Sequence, residues 1–126
     1  MLSDRDLNAL LDFAEGSPWR LADGGWVVVD VSRCDVTEGK PFGLAYRLVV
    51  HDAQKRRVLG FDNSHGPDDA PETGPFDHEH PHGRVDRRIA YTFASASGLL
   101  TDFFERLESY CAKTGIPFEL EPRAAI

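Results

Sequence analysis

The chain has 126 residues, 41% of them hydrophobic and 28% charged, a make-up that predicts one ordinary globular domain and excludes a disordered, collagen-like or disulfide-built chain. Apolar runs stop at a few residues, as in Trp26-Val27-Val28-Val29, far short of the ~20 that span a bilayer; the acidic start, with Asp4 and Asp6, is no secretion signal. The net charge of −7 is uneven: residues 40–60 sum to +4 and residues 84–94 to +2, while residues 61–83 between them sum to −6 and hold four of the five histidines.

Along the chain, Ser3 and Asp6 resemble a capping box, and Leu7, Leu10, Leu11 and Ala14 form the apolar stripe of a first helix that Gly16 and Ser17-Pro18 end. After a turn at Asp23-Gly24-Gly25, the β-branched run from 26 to 31 predicts a first strand, with Trp26 expected in the core. Residues 42–50 alternate with period two and give the clearest strand, joined by a polar hairpin at 52–56 to a third over 57–63.

Residues 64–83 carry four prolines, three glycines, five acids and no lysine or arginine, so they read as a long loop. Loops beyond about 12–15 residues call for a function or for disorder. Alternation from Val85 to Phe93 predicts a fourth strand. Ser95 or Ser97 then caps the strongest helix, whose apolar set is Leu99, Leu100, Phe103, Phe104, Leu107, Tyr110 and Cys111; Gly115 and Pro117 end it. Residues 116–120 allow a short edge strand before a frayed tail over 121–126. The order α-β-β-β-β-α predicts an α+β domain: an antiparallel meander of four or five strands with the N- and C-terminal helices on one face. The other face is expected to carry Arg47, His51 and Arg88.

Chemistry concentrates in Phe61-Asp62-Asn63-Ser64-His65 and in His78-Glu79-His80-Pro81-His82-Gly83-Arg84. If residues 78–82 are extended, His78, His80 and His82 share one side. Two functional readings follow. Imidazoles beside arginines can cleave RNA without metal: one takes the 2′-hydroxyl proton, another protonates the leaving 5′-oxygen, and a guanidinium offsets phosphorane charge. His65 with His78, His80 or His82 supplies the first two roles, Asp62 orients an imidazole, and Arg84 and Arg88 steady the phosphate. Alternatively, His78, His80 and His82 with a carboxylate from Asp62, Asp77 or Glu79 suit zinc in a non-enzymatic metal- or protein-binding module. A third possibility needs no function at all: a solvated loop in which Asp62-Asn63 only form a turn.

RNA contacts are expected from Arg47 and from Lys55, Arg56 and Arg57 at the hairpin, although charged hairpin tips also serve solubility alone. Tyr46, Tyr91 and Tyr110 fit apolar stripes and are expected in the core. Cys34 and Cys111 are far apart and form no C-x-x-C, as expected of reduced thiols in a cytoplasmic protein. No phosphate-binding or nucleophile-elbow motif occurs.

The aromatic-Asp-Asn lead at 60–65, the acidic linker, the histidines at 78–82, the Tyr91-Thr92-Phe93 strand and the helix from Leu99 to Tyr110 together resemble the TumE family of bacterial toxins over about residues 24–112. The resemblance implies an α+β domain that acts inside the bacterial cell and is neutralised by a small antitoxin encoded by the neighbouring gene, often a helix-turn-helix protein. It places the family's Asp-Asn pair on Asp62 and Asn63, and its histidines on His65 and on some of His78, His80 and His82. Ribonuclease chemistry is inferred from the residues themselves, and the acidic total makes the +4 and +2 blocks the surfaces where RNA would have to bind.

Overall fold

The computed structural model describes residues 4–64 and 75–123. Helix α1 spans Asp4–Glu15 and buries Leu7 and Leu10, as their spacing requires. Strands β1 (Trp19–Leu21), β2 (Trp26–Arg33), β3 (Leu44–His51), β4 (Arg57–Asp62), β5 (His78–His80) and β6 (Ile89–Ala90) follow in chain order, then helix α2 (Ala96–Thr114) and β7 (Leu120–Glu121). All seven strands join one sheet in the order β6-β5-β4-β3-β2-β1-β7. Every pairing is antiparallel, so β1 to β6 form a meander and β7 closes its far edge.

Helix α2 starts at Ser95, whose side chain accepts from Gly98 N–H, and ends at Gly115 in the left-handed conformation. Both helices pack on one face of the sheet, as expected. Leu7, Leu10, Leu99, Phe103 and Leu107 meet Val27, Val29, Leu44, Leu48, Val50, Leu59 and Phe61 in a single apolar core, the dominant stabilising contribution for a domain of this size. Tyr46 and Tyr110 are buried in it, and Tyr91 packs partly against it.

The class is α+β, as expected, with seven strands among the described residues instead of four or five. One unforeseen strand, β1, follows the first helix directly. The segment read as a loop over 64–83 contains β5, because His78, Glu79 and His80 are extended and pair with β4 on one side and β6 on the other. The expected fourth strand over 85–93 shrinks to Ile89 and Ala90, since the chain turns from Pro81 to Arg87 through Arg84 N–H to Pro81 O and Arg87 N–H to Arg84 O. At the C-terminus, Glu121 is paired with Arg20 rather than frayed. Trp26 also departs from expectation. It pairs with His51, and strand alternation puts both on the face turned away from the helices.

Candidate metal centre

Directly opposed residues of an antiparallel pair share a face, so the register places the outer-face residues in rows. Asp30, Arg47, Asp62 and His78 form one row across β2, β3, β4 and β5; Val28, Val49, Gly60 and His80 form the next. Asp62, His78 and His80 are thereby brought together on adjacent strands although 15 residues separate Asp62 from His78. Their exposures are 6%, 1% and 5%.

Both imidazoles are fixed from behind. His78 Nδ1 lies 2.9 Å from Phe76 O, and His80 Nδ1 lies 2.8 Å from Val85 O. A carbonyl only accepts, so each Nδ1 carries the hydrogen and each Nε2 of a neutral ring presents a lone pair. Those two lone pairs meet the Asp62 carboxylate: His78 Nε2 is 3.0 Å from Asp62 Oδ1, His80 Nε2 is 3.6 Å from Asp62 Oδ2, and the two Nε2 atoms are 3.2 Å apart. Acceptors crowded this closely repel unless a cation sits among them. A proton is the minimal solution. Burial opposes charge on Asp62 and His78, yet hydrogen bonds from His78 and His80 hold Asp62 well below the usual carboxylate range; for His78, burial is outweighed by the bonds to Asp62 and Phe76 O and the Asp62 charge together, and its ring is raised above the ordinary histidine value.

The same three atoms could also hold a metal ion. Ligand atoms about 2.1 Å from one zinc-like ion stand about 3.0 to 3.4 Å from each other, close to the spacings found. The Nδ1-to-carbonyl bonds are the arrangement that orients metal-ligating histidines. Ser64 adds an N–H and a hydroxyl to Asp62 Oδ1, at 3.1 and 2.9 Å. Asp62, His78 and His80 form the only such group of potential ligands among the described residues.

A family model described as "Toxin TumE" matches residues 6–110. The chain belongs to the TumE toxin family. Neither the curated proteins nor the solved structures compared with it gave a match.

In this toxin the other expected site residues divide. His82 does not join His78 and His80, a correction to the three-imidazole arrangement: Pro81 cannot extend the ladder, the chain turns, and the His82 ring stands edge-on to Tyr110 of α2 with centroids 5.0 Å apart. Asp77 and Glu79 do not join the cluster either. Asp77 accepts from Tyr46 Oη at 2.6 Å, and Glu79, which faces α2, is bonded to Arg106 at 2.8 Å. Burial is the main reason that both the Asp77 carboxyl and the Tyr46 hydroxyl titrate above their ordinary values. Arg88 is close enough for its charge to oppose protonation of His78; Arg84 is exposed in the turn. His65 lies outside the described residues.

Of the cations expected at RNA, Arg47 is opposite Asp62 and Arg57 is opposite His51, with its Nη2 3.4 Å from Val85 O. Arg56 is tied to Asp52 at 2.9 Å, and Lys55 occupies the hairpin tip with φ 68°. The support of His78 by Phe76 and Gly39 was not foreseen. Phe76, which holds His78, is itself held by its N–H to Gly39 O at 2.8 Å, and a Cβ on Gly39 would collide with the Phe76 ring. Gly39→Ala is therefore expected to displace Phe76, loosen His78 and weaken zinc binding about tenfold or more, the range for losing an orienting contact. Isothermal titration of the metal-stripped variant checks this; wild-type affinity would show that Phe76 does not position the ligand.

Proposed function

We propose that this toxin is a metal-assisted ribonuclease whose ion is held by Asp62, His78 and His80. The observation that carries the reading is the convergence of two imidazole lone pairs and a carboxylate at 3.0 to 3.6 Å. It favours metal chemistry over metal-free acid–base exchange because all four ring nitrogens of His78 and His80 are directed at the backbone or at each other and Asp62, leaving none to exchange protons with a substrate directly.

Asp62, His78 and His80 would hold the ion, which would supply positive charge to the phosphate and a water of lowered pKa. In the reaction itself the ribose 2′-oxygen loses its proton and bonds to phosphorus, the P–O5′ bond breaks, and O5′ gains a proton. A 2′,3′-cyclic phosphate and a 5′-hydroxyl result, with no group consumed. Arg47, beside Asp62 on the sheet, and Arg88, near His78, supply the positive charge that the phosphate requires. Family membership supports the wider setting: a target inside the bacterial cell and a small antitoxin, encoded next to the toxin, that neutralises it.

The test is cleavage of a mixed RNA by purified toxin before and after metal stripping. Cutting is expected to stop on chelation and to return with added zinc or manganese, leaving cyclic phosphate ends. Cutting that survives in verified metal-free protein would return the chemistry to the imidazoles alone. No cutting of RNA in any state would overturn the ribonuclease reading.

A further inference from the structure

One row beyond His80 and Gly60, the outer face changes character. Arg20, Trp26 and His51 stand next to each other across β1, β2 and β3; past a register shift at Val50 and His51, Arg57 of β4 is opposite His51 and close enough for its charge to act on that ring. The Trp26 and His51 rings are stacked, 5.0 Å between centroids and 15° between planes. Trp26 is half-buried and takes no part in the core cluster. His51 Nδ1 has no hydrogen-bond partner among the described residues, so stacking, not hydrogen bonding, holds this ring. Burial and the charges of Arg47 and Arg57 favour its neutral form, which offers a π-face without a competing charge.

A pair of stacked rings flanked on both sides by guanidinium groups is what an unpaired base and its adjoining phosphates need. The pair is also continuous with the metal centre. Residue 51 lies four positions along β3 from Arg47, about 13 Å at strand rise, and Arg47 is opposite Asp62. A protein partner is less suited to this surface. The large exposed apolar side chains among the described residues are Val36 and Phe118, neither of them in these rows, whereas stable protein interfaces bury about 800 Å² per partner around an apolar centre. Acids temper the charge: Glu121 is opposite Arg20, Asp30 is 4.0 Å from Arg47, Asp62 is opposite Arg47, and Asp52 acts on His51 against the two arginines. Arg57 is the cation of the row that is opposite a ring and not an acid.

We infer that the outer sheet face is the path of a single-stranded RNA, with one base seated on the Trp26–His51 pair, its phosphates on Arg57 and Arg47, and the strand running on to Asp62, His78 and His80. This rests on the ribonuclease reading for the identity of the strand, but it is tested by binding. The probe is a short fluorescein-labelled single strand carrying 2′-O-methyl groups, which blocks attack by the 2′-oxygen; anisotropy reports its affinity.

Stacking on one aromatic contributes about 1–3 kcal/mol, so Trp26→Ala is expected to weaken binding about 5- to 150-fold while zinc content stays at the wild-type level. Trp26→Phe, which keeps an aromatic face and guards against misfolding of the alanine variant, is expected to restore most of the affinity, and Phe118→Ala to leave it unchanged. A duplex of the same sequence is expected to bind more weakly. Equal affinity of wild type and Trp26→Ala, or no binding of the single strand by wild type, would overturn the path. Loss of binding to the neighbouring-gene protein in Trp26→Ala, with RNA affinity intact, would assign the face to that protein instead. A strand that binds through Trp26 but is never cut in its unmodified form would overturn the ribonuclease reading and leave the path standing.

Discussion

Asp62→Ala and His78→Ala are each expected to lower zinc affinity at least about 100-fold, while His82→Ala leaves it unchanged. Structural zinc binding is worth about 10–16 kcal/mol shared among its ligands, so the loss of one ligand of three removes several kcal/mol. The comparison with His82 separates a defined centre from loose attraction of metal to a histidine-rich segment: three imidazoles are close in sequence, but only His78 and His80 have Nε2 atoms at Asp62, while the His82 ring is against Tyr110. Zinc at 100 times its dissociation constant stabilises the fold by about 2.7 kcal/mol, a rise of roughly 10 °C in melting temperature for a chain of this length.

The gain depends on pH with a definite sign. Without metal, His78 has a raised pKa and Asp62 a lowered one. The His78 contribution is complete below its unfolded value and is lost as pH rises through its folded one; the Asp62 contribution is present above its unfolded value and is lost as pH falls through its folded one. Metal-free protein is therefore expected to be most stable in mild acid, and zinc to add most above that range, where it no longer competes with a proton. Melting curves at pH 5.5 and 8 with and without zinc measure it. Equal loss of affinity in all three variants, or a zinc effect larger at the lower pH, would remove the assigned centre.

How much of this was legible in the sequence follows from what each signal depends on. Period-two alternation over residues 42–50 and the apolar stripe from Leu99 to Cys111 arise from burial on one face, and both elements are where the pattern puts them. His78 and His80 share a face because β-structure sets that spacing. The strand itself was hidden inside a proline- and acid-rich stretch, since its order comes from pairing with β4 and β6, which no local propensity encodes. His82 fell outside the cluster because Pro81 ends the alternation one residue earlier. Trp26 was misplaced for a related reason. In a continuous apolar run such as Trp26-Val27-Val28-Val29, periodicity does not tell which face is inward; the register with β3, which sets Val27 and Val29 toward the helices, decides it. The dependence of His78 on Gly39 crosses 38 intervening residues and leaves no spacing motif to read.

The adjacent Asp-Asn pair divides between the site and the fold, and Asn63 is expected to carry a stability effect as large as the metal's. Asp62 turns to the outer face, toward His78 and His80. Asn63, 3% exposed, follows the last residue of β4 and takes over the ladder where the strand stops: its Oδ1 accepts from Tyr46 N–H at 3.1 Å, and its Nδ2 donates to Leu44 O at 2.7 Å. Asn63→Ala leaves that buried N–H and C=O unsatisfied together, at about 1–3 kcal/mol each, so destabilisation of about 2–4 kcal/mol is expected, with a fall of roughly 10–15 °C in melting temperature. Asn63→Asp keeps the acceptor for Tyr46 but loses the donor to Leu44 O and adds a carboxylate beside Asp62, so it is expected to recover little. Urea unfolding of the zinc-loaded and metal-stripped forms separates the two roles of the pair. Asn63→Ala should lose the same stability in both forms, whereas Asp62→Ala should abolish the difference between them. A loss below about 1 kcal/mol for Asn63→Ala would mean that water satisfies the end of β3 without it, and that this asparagine has a different task.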